Sequence, residues 1–408
     1  MTARLRGLIL SPILPGEGFW GRYQRFALLG CALGRAADLE VLAFLRGEAR
    51  RELPALEAQA ADAWKTRVRL HACPGAAVSP SLVRRWILSP LDYRRQPALG
   101  LAIGAEQVAA LRDRLERSRP DFVLAFGLEM MLPLLVIGPR LPVYLDLDDV
   151  PHVRAWREAG VLTSPFRRWL VRSQVPGLAW AERRAVLAAR TSYVSSRPDR
   201  DYLVRRWRLP RVELLPNAVE IPEPLADCPE PSLLLIGQMG YAPNAAAARL
   251  LMEEVWPRIR QALPAARLRI AGPGSDALRP EGAPEGVELM GAVSDIGELY
   301  AGTRVACAPL RAGSGTRIKI LEAAAFGRPV VSTRLGAEGL ELADGREILL
   351  RDDPRDFADA CRELLEDPGR AARLGGAARR RVAERYERSR VIGEIRGLPG
   401  PAVAAPPE

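Results

Sequence analysis

The run Arg311-Ala-Gly-Ser-Gly-Thr-Arg-Ile-Lys-Ile-Leu-Glu322 holds the residue types and spacing richest in chemistry. Gly313 and Gly315 loosen a loop, Arg317 and Lys319 open a helix, and Glu322 follows one turn later. Backbone amides at a helix N-terminus and fixed positive charge together make an anion site. A carboxylate one turn on can take the hydroxyls of a ribose, so the run has the makings of a grip on a nucleoside diphosphate. Lys65 and Lys319 are the only lysines, against dozens of arginines. A compact ammonium in so arginine-rich a chain suits a place too tight for a planar guanidinium. An isolated basic pair more often solvates an amphipathic helix; the neighbouring glycines and Glu322 turn the reading toward a site.

A chain of 408 residues, 48% hydrophobic, fits two ordinary domains with a full core each. The formal charge of +10 is compatible with nucleic acid, anionic lipid or phosphorylated substrates. No nucleic-acid module is recognisable and aromatics do not interleave with a basic patch, which leaves the last two. Cys31, Cys73, Cys228, Cys307 and Cys361 are scattered, which points to a reducing cytosol and away from a zinc site. The apolar run at 8–10 stops at Ser11-Pro12 and reads as a strand rather than a signal peptide. The run at 130–137 is too short to span a bilayer. A soluble or peripheral cytoplasmic protein is expected.

Apolar and amphipathic runs alternate along both halves. Strands are expected at 5–10, 39–44, 122–126, 143–147, 192–195 and 212–215, with helices at 23–33, 106–117 and 165–189. Ile221-Pro-Glu-Pro-Leu-Ala-Asp-Cys-Pro-Glu-Pro231 then places four prolines in eleven positions, where neither a helix nor an inner strand can continue. Beyond it come strands at 233–236, 267–271, 287–290, 305–308, 329–332 and 348–350, and helices at 244–262, 295–300, 317–326, 354–365 and 368–386. The organisation expected is a first domain over 1–220, a linker over 221–231, a second domain over 232–386, a helix at 387–397 that can return to the first domain, and a disordered tail over 398–408. Both domains read as α/β, doubly wound and Rossmann-like, facing each other across a cleft, with ligands outside the carboxyl ends of the strands.

The second half resembles the family 4 glycosyltransferases of the GT-B fold, closest to a bacterial branch with a loop like Pro309-Leu-Arg-Ala-Gly-Ser-Gly-Thr-Arg-Ile-Lys-Ile-Leu-Glu-Ala323. Ile236-Gly-Gln-Met-Gly-Tyr-Ala-Pro-Asn244, Gly291-Ala-Val-Ser-Asp295, Ser332-Thr-Arg-Leu-Gly-Ala-Glu-Gly339 and the link Pro216-Asn-Ala-Val219 also match. In the first half the likeness is confined to Pro15-Gly-Glu-Gly-Phe-Trp-Gly-Arg-Tyr23 and Asp146-Leu-Asp-Asp149. The resemblance implies a retaining transferase using a nucleotide-diphosphate sugar, with a glycan or lipid-linked acceptor in cell-envelope or exopolysaccharide assembly. It implies donor contacts at Gly237, Gly240, Asn244, Gly313, Ser314, Gly315, Thr316, Arg317, Lys319 and Glu322. Three departures stand out. Ser314 occupies the place of the family's first glutamate, the arginine and lysine usual after the second domain's first strand are missing, and Asp121-Phe-Val-Leu-Ala-Phe126 is followed by no histidine. Arg317 and Lys319 are the natural replacements at the diphosphate.

On the other side of the expected cleft, Gly16, Gly18 and Gly21 with Arg22 form a second glycine-rich turn, which either closes on the phosphates or is a plain strand-to-helix turn. Asp148 and Asp149 read as acceptor-side groups, with Asp149 equally able to anchor its loop. His152 is placed to be a base tuned to neutral pH, although such a histidine more often hydrogen-bonds in a turn, and the family's retaining members are thought to need no base. His71 reads as structural, and Cys307 and Met290 as core. Glu338 either orders its loop or touches the donor. Asp146-Leu-Asp148 has a metal-binding form, but two cationic phosphate grips make a metal redundant, so neither metal nor other cofactor is expected. A basic first domain also suits peripheral contact with anionic lipid at the inner membrane face. The alternatives are a sugar-nucleotide epimerase on the same fold and a non-catalytic homologue. A dinucleotide-dependent oxidoreductase is disfavoured, because neither half opens with Gly-x-Gly-x-x-Gly and a following acidic residue.

Overall fold

The computed structural model describes residues 4–16, 21–45, 53–74, 95–96, 101–102, 104–226, 228–279, 282–395 and 397–399. The chain divides into two compact units, one of Met1–Ala159, Ser164–Pro216 and Ile392–Glu408, the other of Gly160–Thr163 and Asn217–Val391.

The first unit contains β1 (Leu5–Ser11), β2 (Ala37–Leu45), β3 (Val68–Pro74), a short antiparallel pair β4 (Arg95–Gln96) and β5 (Leu101–Ala102), then β6 (Phe122–Phe126), β7 (Val143–Asp148), β8 (Thr191–Val194) and β9 (Val212–Leu214). Its main sheet is parallel in the order β3-β2-β1-β6-β7-β8-β9. The second unit contains β10 (Ser232–Ile236), β11 (Arg267–Ala271), β12 (Val287–Leu289), β13 (Val305–Ala308), β14 (Val330–Ser332) and β15 (Leu349–Leu350), parallel in the order β12-β11-β10-β13-β14-β15. In both, the first strand sits in the middle and the order reverses beside it, the doubly wound pattern expected from the alternation. Helices cover both faces, so inner strands are apolar on both sides: Leu233, Leu234 and Leu235 are all buried in succession.

Helices begin where side chains can take the first orphan amides. Ser164, Ser196, Asp295, Asp353 and Asp367 each accept a backbone N–H at the start of a helix. The helix expected at 244–262 is broken into Ala242–Leu250, a π turn Leu251–Val255 and Trp256–Ala262. Pro257 has no amide to donate back and crowds the preceding turn, which widens.

Several expectations shift. A helix Leu53–Trp64 forms where no element was expected, and the strand whose end His71 was expected to mark is β3, which runs on to Pro74. His71 lies inside β3 paired with Leu42, and its Nε2 is 3.4 Å from Glu40 Oε2. Met290 is not core: β12 ends at Leu289 and Met290 is 41% exposed, since a three-residue edge strand releases the chain before that side chain can be covered. Cys307 is buried, its Sγ 3.8 Å from that of Cys361. The proline-rich stretch lies along the second unit, where Arg379 Nη2 donates to Pro222 O at 2.5 Å, Arg328 Nη2 to Ala226 O at 2.8 Å and Arg304 Nε to Cys228 O at 3.0 Å. The chain passes from the second unit to the first within helix Arg388–Glu394. Most of the expected tail, residues 400–408, lies outside the described residues.

The first unit carries a fully buried ion pair at its centre. Arg25, on helix Gly21–Gly34, donates Nε to Asp146 Oδ2 at 2.8 Å, Nη2 to Asp146 Oδ1 at 2.6 Å and Nη1 to Leu215 O at 2.9 Å. This fork joins that helix to β7 and to the end of β9. Removing one partner of such a pair strands the other charge in an apolar interior, at a cost of about 3–5 kcal/mol. Asp146→Ala should lose that much in urea denaturation, and the apolar double replacement Arg25→Met with Asp146→Leu should recover most of it.

Candidate functional site

In the second unit the strand order reverses between β10 and β13, and the loops leaving these strands carry the expected donor residues. After β10 the chain turns through Gly237–Tyr241 into helix Ala242–Leu250. After β13 it runs through Pro309–Thr316 into helix Ile318–Ala325, whose N-terminus no side chain caps. Gly313 and Gly315 have φ of +107° and +69°, the left-handed region that glycine enters without penalty. These two reversals bring the loop back beneath Arg317.

Lys319 closes the arrangement. Its Nζ donates to Asn244 Oδ1 at 2.8 Å, and Asn244 Nδ2 donates to Gln238 O at 3.0 Å. The ammonium thus ties the helix after β13 to the loop after β10. A Cβ on Gly237 would stand 2.7 Å from both Lys319 Nζ and Asn244 Nδ2, so any larger residue there must push these side-chain ends aside. Desolvation, and next the charge of Arg317, push the Lys319 ammonium down to about 7, while Glu322 pulls the other way.

Arg317 sits at the helix N-cap. Its Nη1 donates to Gly315 O at 2.8 Å and, more closely, to Ser314 O. Among the described residues its Nη2 is buried without a hydrogen-bond partner, close against Gly313. Among the described residues, neither Arg317 nor Lys319 has a carboxylate within ion-pairing distance. Two partly desolvated cations beside open helix amides form a place that favours an anion. Thr316 Oγ1 accepts from Asn217 Nδ2 at 2.8 Å, which braces the loop on the segment entering this unit. Glu322, half-buried, lies one turn along the helix. Burial, with the charge of Glu322, drives the nearby Tyr300 hydroxyl well above its ordinary value. Gly240 lies next to Gly274, on the loop after β11. After β14, Thr333 Oγ1 donates to Leu310 O and accepts from Gly336 N at 2.9 Å, tying the stretch that holds Glu338 to the same loop.

The corresponding position of the first unit is neutralised. Gly16 has φ of +82°, and Gly18 lies outside the described residues. Arg22 is ion-paired with Glu129, and against burial, which pushes that carboxyl up, Arg22 holds it below its ordinary value. Asp148 adopts φ of +64° at a bulge in the β7–β8 pairing, with Oδ1 3.5 Å from Arg25 Nε. Arg154 Nη1 donates to both Asp149 oxygens at 3.0 Å, the arrangement of a loop anchor. Asp146 has both oxygens committed to Arg25, so the Asp-x-Asp pattern does not present two open carboxylates. Among the described residues no group of three His, Cys, Asp or Glu side chains could hold a metal ion.

His152 is buried, with Nδ1 3.0 Å from Glu182 Oε2 and Nε2 2.9 Å from the Tyr202 hydroxyl, which also accepts from Trp207 Nε1 at 2.9 Å. Both ring nitrogens are engaged in the unit's interior, and neither is presented as a base. Sequence reasoning passed over Arg25, Glu129 and the Lys319–Asn244 contact. An arginine facing the apolar side of its helix and an aspartate within an otherwise apolar strand interior were the available signal for Arg25 and Asp146.

Residues 230–367 match the family model of glycosyl transferases group 1. No curated protein is a significant match. Over 95% of this chain, the fold is similar to that of Anabaena HepE in complex with UDP and glucose (TM-score 0.65, 13% identity, 97% of that chain). It is similar over 95% to sucrose-phosphate synthase from Thermosynechococcus elongatus (0.66, 16% identity, 96% of that chain). It is also similar over 95% to a mutant of S. aureus TarM with fondaparinux, α-GlcNAc-glycerol and UDP (0.69, 12% identity, 98% of that chain). The fold is that of the GT-B glycosyltransferases, and together with the family-model match it supports a glycosyltransferase.

Two outcomes follow from the site's geometry. Gly237→Ala should leave the melting temperature nearly unchanged, since the clash falls on side-chain ends, yet weaken binding of pyrophosphate, the simplest anion of this kind, by on the order of tenfold in calorimetric titration, because it displaces the ammonium. The second concerns pH. Between about 7 and its ordinary value of 10.5, the Lys319 ammonium is protonated in the unfolded chain and neutral in the folded one. Stability therefore rises with pH through that window, and the cost is complete below it. Lys319→Met should show its largest gain in melting temperature over the parent at or below pH 7, and that gain should shrink toward the top of the window.

Proposed function

We propose that this protein is a retaining glycosyltransferase that moves a sugar from a nucleotide-diphosphate sugar to a glycan or lipid-linked acceptor, in cell-envelope or exopolysaccharide assembly within the cytoplasm. The observation that carries the reading is the pair Arg317 and Lys319, brought together at the mouth of β10 and β13 with no carboxylate within ion-pairing distance among the described residues. Transfer leaves a diphosphate with growing negative charge. Preformed cations and helix amides stabilise that charge without reorganising as it develops. A neutral or half-protonated Lys319 gains its full charge when the anion arrives, so binding draws in a proton. Glu322 takes the ribose hydroxyls, and Ser314, with the amides around Gly313 and Gly315, faces the sugar.

With His152 committed to Glu182 and Tyr202, the acceptor proton goes to the departing phosphate oxygen, on the same face of the sugar as the incoming hydroxyl. This is the proton path of a retaining transfer without a protein base. No metal is assigned, since the two cations already answer the diphosphate.

HepE and TarM both hold UDP, which makes UDP the first nucleotide to test. A thermal-shift panel of UDP, GDP, ADP and dTDP on the parent and on Lys319→Ala should give stabilisation by one diphosphate. At a hundredfold excess over Kd that is worth about 2.7 kcal/mol. The stabilisation should vanish in the variant. Absence of a shift with every nucleotide would sink the donor-site assignment.

A further inference from the structure

The 24-residue helix Pro165–Ala188, about 36 Å long, carries its exposed stripe the wrong way round for a helix facing water. Phe166 is 66% exposed, Trp169 64%, Trp180 46% and Leu187 47%. These positions fall on one side of the helix at its 3.6-residue repeat. Trp156, on the preceding helix Pro151–Gly160, is 52% exposed and joins them through Arg172, whose guanidinium lies 4.6 Å from its ring centroid. Phe166 and Trp169 stack on each other at 6.2 Å, and Arg184 lies 5.2 Å from the Trp180 ring. A buried face opposite, with Leu178, Ala181 and Ala185, already attaches the helix to its own unit. The outward aromatics therefore serve no core.

The charges on this helix say what covers them. It holds five arginines and a single acidic residue, Glu182, which is fully buried and bound to His152. Every exposed position is apolar or arginine, and none is acidic. Tryptophan, phenylalanine and leucine between arginines suit a surface that is apolar beneath and anionic on top. The rings settle at the headgroup level, and the arginines bury their stems while their heads stay with phosphate. Among the described residues no helix is long and apolar enough to cross a membrane. We propose that this stripe docks the protein flat on an anionic phospholipid surface. The inference is independent of the nucleotide reading, since it uses no residue of the second unit.

The experiment is co-sedimentation of the purified full chain with vesicles of phosphatidylcholine alone and of phosphatidylcholine with phosphatidylglycerol, at low and high salt. Binding is expected to the anionic vesicles only, weakened by salt, with a blue shift of tryptophan fluorescence. Trp169→Ser with Trp180→Ser, and separately Arg167→Glu with Arg183→Glu, should each weaken it by on the order of tenfold or more. All four positions are exposed, and unchanged melting temperatures certify the fold. Equal binding to neutral and anionic vesicles, or undiminished binding by either double variant, overturns the proposal. So does light scattering that finds a dimer in solution which the tryptophan variant dissolves, for the stripe would then be a contact between two copies. Nucleotide shifts in the tryptophan variant should match the parent, which keeps failure here separate from failure of the donor site.

Discussion

One enclosed ammonium organises the second unit's functional end. Lys319 reaches from the helix after β13 to Asn244, on the helix that follows β10, and lies against the bare backbone of Gly237. That contact spans the point where the strand order reverses, the only place in a doubly wound sheet where two neighbouring strands send their loops apart. The bare backbone at Gly237 and the depressed ammonium both follow from fitting a charge into so narrow a gap. An arginine could not replace it, because a planar guanidinium needs width that Gly237 and Asn244 do not leave.

The two units share a strand order and dispose of their cations oppositely. In the first, Arg25 is locked to Asp146 on β7 and Arg22 to Glu129 on helix Leu128–Ile137, so the positive charge is spent on holding a helix to a strand and to a second helix. In the second, the hydrogen bonds of Arg317 and Lys319 among the described residues go to carbonyls and an amide oxygen. Neutral acceptors satisfy hydrogen bonds without cancelling charge, and the surplus remains available to an anion. The same scaffold thus carries a buried ion pair in one copy and a pair of cations held by neutral acceptors in the other. His152 belongs with the structural set: its partners, Glu182 and Tyr202, make it a link between helices of the interior.

Much of this was legible in residues alone. Continuous apolar runs such as Leu233-Leu-Leu-Ile236, alternating with amphipathic stretches, dictate parallel strands with helices on both faces, because only that arrangement hides both sides of a strand. The glycines, cations and carboxylate of 311–322 are read directly, since a loop, a helix start and a one-turn spacing are local. Short elements at an edge were less legible. Leu53–Trp64 leaves no clear signal, His71 reads as the end of a strand rather than its middle, and Met290 reads as core, because at a sheet's margin burial depends on whether a neighbour happens to arrive.

The sequence by itself determined the two α/β halves and the residue types gathered in 311–322, all properties of spacing within a few turns of chain, whereas the boundary falls at Pro216 and Asn217, ahead of the proline-rich stretch expected to mark it. Tertiary structure decided which charges remain available. Arg25 and Asp146 are 121 residues apart, and Lys319 and Asn244 are 75 apart. No local pattern records such meetings, because they are fixed by the strand order that folds those segments together. Whether a charged side chain holds the fold or faces a ligand depends on which partner that packing delivers.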